Sequence, residues 1–263
     1  AQIQCSADEL FKRMESKVSP SEIARLRSAF EFAREAHRPQ RRKSGEPYII
    51  HPVCVARIVA EELELGADPV IAAFLHDVVE DTDYSIEDIR DRFGDDVAFL
   101  VGVVTKEKKD KYVQSKQVDN YRQILASMQY DVRALLIKLA DRLHNCRTIE
   151  FMPEHKRDKI LSETMFVFIP LAHRLGLYGI KSEMEDIWLR YKEPEAFNEI
   201  TEKINRNISD KDREISDFIA PINDALKAAG FKYEIKKRVK TPYSIWNKMN
   251  NKGIPFDQIY DLY

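Results

Sequence analysis

Apolar residues recur every three or four positions through the first two-thirds of the chain, which is the spacing of one face of an α-helix. The first long helix has a clear start. Ser19, Pro20 and Glu22 supply an N-cap, a proline in the first turn and an acid at the third position, and they predict a helix to about Ala36. Similar signals predict further helices, over 52–66, 69–82, 85–94, 95–104, 119–149 and 181–191.

The pattern changes towards the C-terminus. Residues 231–236 alternate apolar and polar side chains at period two, as a strand does, and 256–263 predicts a second strand. A basic helix is predicted between them, over about Tyr243–Asn250. The chain is therefore predicted to be mainly α. We expect three parts: a helical domain over 1–195, a helical connector over 196–229, and the incomplete start of an α/β domain over 230–263.

Bulk composition excludes several classes of protein. The net charge of −2 argues against a nonspecific nucleic-acid binder, although a local basic cluster could hold a small phosphorylated ligand. The three cysteines are odd in number and form no CxxC pair, which argues against a disulfide framework and a structural zinc site. No apolar run approaches the roughly 18 residues of a membrane span, and the start lacks a signal-peptide core. We expect a cytoplasmic protein.

One predicted helix ends in an unusual way. Its body, Val70–Leu75, is wholly apolar. Four ionisable residues follow it: His76, Asp77, Glu80 and Asp81. Ionised carboxylates at the end of a buried helix are costly unless they are paired or bind a metal. On a continuous helix His76 and Glu80 stack on one face, and Asp77 and Asp81 on another. An isolated His-Asp pair is far more often part of an exposed acidic helix end, and the apolar body and the doubled spacing both weaken that alternative.

Two further segments carry side chains of the same kind. His51 lies at a predicted helix start, and Asp141 ends the apolar run 135–140. With His76 and Asp77 they form a set of two imidazoles and two carboxylates, which suits manganese, iron or a similar divalent ion. Such an ion lowers the pKa of bound water and neutralises charge on a phosphate oxygen. The sequence therefore predicts a metal-dependent phosphohydrolase of the His-Asp type.

Three motifs resemble those of the hydrolase domain of the RelA/SpoT homologue family. They are Gly-Glu-Pro-Tyr-Ile-Ile-His-Pro at 45–52, His-Asp-Val-Val-Glu-Asp-Thr at 76–82 and Lys-Leu-Ala-Asp-Arg-Leu-His-Asn at 138–145. Residues 170–176 resemble the helix that follows these motifs there. Two later stretches, 243–248 and 256–262, resemble the start of that family's synthetase domain. The resemblance implies an HD-domain helical bundle followed by the beginning of an α/β synthetase domain.

The same resemblance implies metal-dependent hydrolysis of the alarmone (p)ppGpp at the 3′ position, to GDP or GTP and pyrophosphate, with one Mn2+ ion. It gives the four residues named above the role of metal ligands, and it gives Glu80 and Asp81 the role of positioning and activating the attacking water. Every residue of the His-Asp-x-x-Glu-Asp pattern is present, which favours a competent enzyme. The alternatives are a phosphohydrolase of another nucleotide and a catalytically silent nucleotide-sensing module.

Substrate contacts are predicted before the first ligand. Arg42, Lys43 and Ser44 lie in a basic loop, where an arginine plane can stack on a purine and a lysine can meet phosphate. A solvated basic loop is the alternative, and the resemblance favours the binding role. Tyr48 is predicted either to touch phosphate or to pack as an ordinary aromatic residue. The charged stretch 105–118 is interpreted as an exposed loop and a candidate gate.

A second group of contacts is predicted after Asp141. Asn145 and Thr148 share its helical face, and the resemblance places both against the nucleotide. His144 is about 60° off that direction and is predicted to be structural. The remaining candidates lack partners at useful spacing and are predicted to be structural, surface or packing residues: His37, His155, His173 and Cys146.

The C-terminal stretch resembles a nucleotide site that is cut short. Arg238, Lys240 and Lys248 match residues that grip nucleotide phosphates in the synthetase domain, and Asp261 matches its magnesium-binding acid. From composition alone, the same stretch is a basic strand and helix with a solvated face. We expect no synthesis by this chain, since the second acid is absent. Expected partners are the small nucleotide and neither membrane nor nucleic acid, with room for a ribosome or regulator contact in a full-length protein.

Overall fold

A computed structural model describes residues 2–105, 131–236 and 238–259, without side-chain detail at 2, 207–212 and 214. It divides into two compact units, Ala1–Phe168 and Ile169–Tyr263. The first contains helices α1 (Gln2–Met14), α2 (Pro20–Ala36), α3 (Ile50–Arg57), α4 (Ala67–Leu75), α5 (Val78–Asp81), α6 (Ile86–Phe93), α7 (Asp95–Val104), α8 (Val132–Arg147) and α9 (Glu154–Glu163). The second contains α10 (Ile169–Arg174), α11 (Tyr178–Lys192), α12 (Pro194–Ala228) and α13 (Pro242–Lys252).

Local signals set several helix ends. The Ser19 side chain accepts from the backbone N–H of Glu22, and the Glu22 carboxylate accepts from the backbone N–H of Ser19, so α2 begins in a complete capping box. Ser85 and Asp88 form the same arrangement at the start of α6. These caps confirm the predicted starts, because each depends only on residues within one turn.

The core of the first unit is built around α4. Seven of its nine residues are apolar with almost no exposed surface, which marks a helix covered on all sides. It packs against α2, α3, α7 and α8. Phe74 from α4, Phe30 from α2 and Phe11 from α1 meet with ring centroids 5.9–6.3 Å apart. The end of α4 is therefore held rigidly, and it carries His76 and Asp77.

Two turns of π-helix interrupt the first unit. Ile58–Glu62 continues α3, and Thr164–Phe168 continues α9. Together, α3 and its π turn cover most of the predicted helix 52–66, although α3 begins two residues earlier, at Ile50. That start places His51 within the first turn of a buried helix.

The second unit has a small core of its own. Ile200 of α12 packs with Ile245 of α13 and with Phe256 and Ile259 beyond it. Tyr243 donates its backbone N–H to Asp186 Oδ1 at 2.9 Å, which joins α13 to α11. The helix predicted over about Tyr243–Asn250 is thus present as α13 and is slightly longer.

The two predicted strands are wrong within the described residues. Residues 231–236 have no strand pairing, and Phe256–Gln258 forms a turn of 3-10 helix. A strand is stable only beside another strand that takes up its backbone N–H and C=O groups, and the described part of the chain contains no such neighbour. The mainly α fold is confirmed.

Some expectations stay predictions. The domain boundaries near 195 and 229 fall within the second compact unit, where α12 spans most of the proposed connector. The candidate gate 105–118, apart from its first residue, and the helical stretch 119–130 lie outside the described residues, as does Asp261. No helix among the described residues is both long enough and apolar enough to cross a membrane.

Candidate active site

Packing in the first unit brings together four residues that are up to 90 positions apart in sequence. His51 lies in the first turn of α3, and Asp141 lies in the middle of α8. His76 and Asp77 form the turn between α4 and α5. Because α3, α4 and α8 all pack on one another, the four side chains meet in one place. This convergence is what the sequence predicted for a metal site.

The donor atoms have the separations of ligands around one ion. His51 Nε2 lies 3.1 Å from Asp141 Oδ1 and 3.5 Å from Asp77 Oδ2. His76 Nε2 lies 3.1 Å from Asp77 Oδ2 and 3.9 Å from Asp141 Oδ1. Atoms about 2.1 Å from a shared octahedral ion lie about 3 Å apart when adjacent and about 4.2 Å when opposite. The donor atoms of His51, His76 and Asp77 all lie within 4.8 Å of one another.

The His76 ring is oriented for a cation. Its Nδ1 lies 2.7 Å from the carbonyl oxygen of Ala73, so Nδ1 carries a proton and donates it. Its Nε2 is buried and has no hydrogen-bond partner of good geometry among the described residues. A histidine that ligates a metal usually donates its other ring N–H to a carbonyl in this way. The residues present therefore fit a divalent cation.

The charges of the site also suit a cation. Burial would raise the pKa of Asp77, but the neighbouring His76 holds it well below its usual range. His51 likewise holds the pKa of Asp141 low, against the effect of burial. Burial would lower the pKa of His76, yet Asp77 raises it to about 9. The two ionised carboxylates thus lie beside a protonated His76 ring, whose extra proton a bound cation would displace.

The structure breaks the helix that was predicted over 69–82. Helix α4 ends at Leu75, and Asp77 has φ −99° and ψ −7°, outside the regular helical region. Helix α5 then restarts, and the Asp81 N–H still donates to the Asp77 carbonyl oxygen at 2.9 Å. The prediction of one continuous helix is wrong, because this turn is where the chain directs His76 and Asp77 into the site. Glu80 and Asp81 line the same cavity.

His144 was predicted to be structural, and that prediction is incomplete. Its Nδ1 lies 2.7 Å from His51 Nδ1, and the two ring centroids are 4.8 Å apart. Burial, together with the nearby His51 and Arg42, lowers the pKa of His144 to about 3. The signal that could have found it is its spacing, since residues three apart on a helix are neighbours and Asp141 precedes it by three.

Tyr48 contacts a predicted ligand. Its hydroxyl donates to Asp77 Oδ2 at 2.6 Å, and its ring packs on buried His37 at 4.8 Å. Burial, with the negative charge of Asp77, raises the pKa of Tyr48 far above its usual value, so the phenol keeps its proton. Both readings of Tyr48 from the sequence missed this contact. A role of Tyr48 in binding phosphate stays a prediction.

The basic loop is a defined turn. Arg41 and Pro47 form an antiparallel bridge, and the Arg42 N–H donates to the Glu46 carbonyl oxygen at 2.8 Å. Gly45 closes the turn at φ +87°, a conformation that side chains other than glycine rarely adopt. The turn holds Lys43 and Ser44 at the wall of the cavity.

The predicted nucleotide contacts are bonded to one another and to the metal site. Arg42 donates to Thr148 Oγ1 at 3.1 Å and lies 3.5 Å from His144 Nδ1. Asn145 Nδ2 donates to Asp141 Oδ1 at 2.7 Å. The loop before His51 and the end of α8 therefore form a connected wall, although they are about 100 residues apart in sequence.

These residues enclose a cavity of about 450 Å³. Three of the predicted ligands line it, along with both predicted catalytic carboxylates and all six predicted substrate contacts. Sequence analysis did not single out Phe151 and Met152, which also line it from the 3-10 turn after α8 and the residue that follows. Arg41, the residue before the predicted contact Arg42, lines it as well.

The residues that match a synthetase domain belong to the second unit. Arg238 is exposed and Lys240 partly buried in the segment before α13, and Lys248 lies on α13. Asp261 is outside the described residues. A nucleotide site at these positions stays a prediction.

Comparison with known proteins gives the same family as the motifs. The HD domain family matches residues 29–178. A guanosine-3′,5′-bis(diphosphate) 3′-pyrophosphohydrolase of Aquifex aeolicus is 42% identical over 92% of this chain and 35% of its own length. The bifunctional (p)ppGpp synthase/hydrolase SpoT of Escherichia coli is 39% identical over 97% of this chain and 37% of its own. A GTP pyrophosphokinase of Myxococcus xanthus is 40% identical over 90% of this chain and 32% of its own.

The chain thus spans about a third of the length of these curated relatives. A solved structure is also similar, that of a metazoan orthologue of SpoT described as hydrolysing ppGpp. It superposes with a TM-score of 0.54 at 32% identity, over 66% of this chain and 98% of that one. The predicted HD-type helical bundle is confirmed. The chain belongs to the HD domain family and is a RelA/SpoT homologue.

Proposed function

We propose that this chain hydrolyses the 3′-pyrophosphate of the alarmone (p)ppGpp, releasing pyrophosphate and GDP or GTP, with one bound Mn2+ ion. The observation that carries the proposal is the convergence of His51, His76, Asp77 and Asp141 beside a cavity that the basic loop also lines. The names of the similar proteins support the substrate.

The cavity supports a nucleotide-sized ligand. Its volume of about 450 Å³ falls in the usual range for small-molecule sites, about 300–1,000 Å³. Three positive side chains, those of Arg41, Arg42 and Lys43, line it together with the carboxylates of the proposed metal site. A phosphorylated ligand would meet the cationic loop with its charged groups, while the carboxylates would be drawn to the cation.

Each residue is proposed to have one task in hydrolysis. The cation, when bound, supplies a more acidic water and a positive charge for a phosphate oxygen. Glu80 and Asp81 orient the attacking water and take up its proton at a carboxylate oxygen. As water attacks phosphorus, the bond from phosphorus to the 3′ oxygen breaks, and that proton passes to the 3′ oxygen, which leaves as a hydroxyl. Lys43 and Ser44 meet phosphate oxygens. Arg42 stacks its guanidinium plane on the guanine base.

The end of α8, which forms one wall with the basic loop, is proposed to hold the nucleotide as well. Asn145 and Thr148 lie one and two turns beyond Asp141 on the same helix, so a ligand that touches them is held at a set distance from the metal ligands. Asn145 already donates to Asp141, which restrains that carboxylate as well. Manganese is the proposed ion because a mixed nitrogen–oxygen donor set suits it.

The test is release of pyrophosphate from ppGpp in the presence of Mn2+. Asp77→Ala should abolish release, while Asp91→Ala, at an exposed aspartate on α6, should not change it. If the Asp77→Ala variant released pyrophosphate from ppGpp as the unmodified chain does, the metal assignment would be refuted. A panel of other nucleotides, including dGTP, distinguishes the alternatives. Turnover only of another nucleotide, or of none, would refute the proposed substrate.

A further inference from the structure

One buried histidine has no part in the proposed chemistry. His144 is 6% exposed and lies near the end of α8, three residues after Asp141. Its Nδ1 has two neighbours from distant parts of the chain: His51 Nδ1 at 2.7 Å and an Arg42 guanidinium nitrogen at 3.5 Å. A single ring atom therefore lies between a proposed metal ligand and the proposed base-binding arginine.

The first neighbour determines where the protons lie. His51 directs Nε2 at the carboxylates of Asp77 and Asp141, and that atom needs a free lone pair to bind a metal. The proton of a neutral His51 ring must then be on Nδ1, where it is donated to His144. His144 Nδ1 must accept, so the proton of His144 is on Nε2.

The second neighbour requires the same arrangement. An arginine side chain only donates, so Arg42 can approach His144 Nδ1 favourably only if that nitrogen has a free lone pair. The 3.5 Å separation makes this the weaker of the two contacts. Arg42 is held more firmly by Thr148, whose hydroxyl in turn donates to the His144 carbonyl oxygen at 2.9 Å. Arg42 thus contacts His144 directly at Nδ1, and indirectly through the hydroxyl of Thr148.

We propose that His144 is a positioning residue whose Nδ1 is a shared acceptor, which fixes the tautomer and angle of the His51 ring for the metal and holds Arg42 beside it. The inference rests on the proposed metal site. It makes metal binding and the shape of the nucleotide wall depend on one imidazole. Mutation of a residue that hydrogen-bonds to a metal ligand typically lowers metal affinity 10–100-fold.

The test is Mn2+ affinity without nucleotide, measured by electron paramagnetic resonance of free Mn2+. His144→Leu removes the acceptor and should weaken binding about 10–100-fold. His144→Asn keeps an acceptor oxygen close to the position of Nδ1 and should bind nearly as tightly as the unmodified chain. His155→Leu, at an exposed histidine of α9, controls for loss of an imidazole.

Two results would overturn the proposal. One is unchanged affinity in His144→Leu. The other is an equal loss in the Leu and Asn variants, since this would indicate packing and not an acceptor. Nitrogen-15 imidazole spectra of the unmodified protein, loaded with a diamagnetic divalent cation in place of Mn2+, test it without any variant. We expect the His144 proton on Nε2, and a proton on Nδ1 would contradict the proposal. Failure of the unmodified chain to bind Mn2+ would instead refute the proposed function.

Discussion

Replacing Tyr48 with phenylalanine isolates one contact of the proposed metal site. The Tyr48 hydroxyl donates to Asp77 Oδ2 at 2.6 Å, the short distance of a hydrogen bond to a charged acceptor. The change removes one oxygen atom and leaves the aromatic packing on His37 in place. Any effect on the metal therefore comes from the orientation and charge of the Asp77 carboxylate.

Two lines of reasoning give the same magnitude. A hydrogen bond to a charged group contributes about 1.5–3 kcal/mol. A partner one shell beyond a metal ligand typically changes affinity 10–100-fold, which is about 1.4–2.8 kcal/mol. Asp77 keeps its contacts with His76 and His51 in the variant, so the loss should not exceed this range. We expect Mn2+ binding to weaken about 10–100-fold.

The assay is a Mn2+ titration of the nucleotide-free protein, followed by pyrophosphate release at saturating Mn2+. Tyr84→Phe is the matched control, because Tyr84 is a partly buried aromatic residue of the same unit that packs on Phe32. We expect Tyr48→Phe to recover most of its turnover once Mn2+ is in excess. Unchanged Mn2+ affinity together with a raised KM for ppGpp would refute this reasoning and would place the hydroxyl on the nucleotide.

Three further changes test other parts of the structure. Arg42→Ala should raise the KM for ppGpp about 2–30-fold, which corresponds to the loss of one cation–π contact, with little change in kcat. Arg38→Ala, at an exposed arginine, should change neither constant. A large fall in kcat alone would contradict the role assigned to Arg42. Burial raises the pKa of Asp186 from 3.8 to about 6, so the folded chain holds that proton more tightly than the unfolded chain, and its stability should fall as the pH rises from about 4 to 6. Asp186→Asn keeps an acceptor for the Tyr243 N–H. Between pH 4 and pH 7, the free energy of unfolding in urea of this variant should rise by about 1–2 kcal/mol relative to that of the unmodified chain, after allowance for solvent screening. Parallel pH profiles of the two proteins would contradict this. Ser19→Ala should lower the free energy of unfolding by about 1 kcal/mol in the same assay, and no change would mean that the cap on α2 contributes nothing.

The proposals for His144 and Tyr48 are related but separable. Tyr48 restrains the carboxylate of Asp77, and His144 restrains the ring of His51. The two contacts share no atom and reach different ligands. Their effects on Mn2+ affinity should nevertheless not simply add in a double variant, because His51 Nε2 lies 3.5 Å from Asp77 Oδ2 and the Tyr48 and His51 rings are 5.9 Å apart.

Sequence alone was sufficient where the physics is local. The capping boxes of α2 and α6 depend on residues within one turn, and helical periodicity depends on neighbours three and four positions apart. The motif residues could be named as metal ligands for a different reason. Two imidazoles and two carboxylates next to apolar helical runs require compensation wherever they are buried, and a cation is one way to supply it.

Tertiary structure decided what depends on distant partners. The hydroxyl of Tyr48 on the Asp77 carboxylate and the ring of His144 against His51 join segments far apart in sequence, and the helix break at Asp77 lies where these segments meet. The strand predicted at 231–236 is absent for a related reason: the alternating pattern is present, but the described residues provide no second strand to pair with it. A helix satisfies its backbone within itself, whereas a strand or a metal site needs groups that only folding brings within reach.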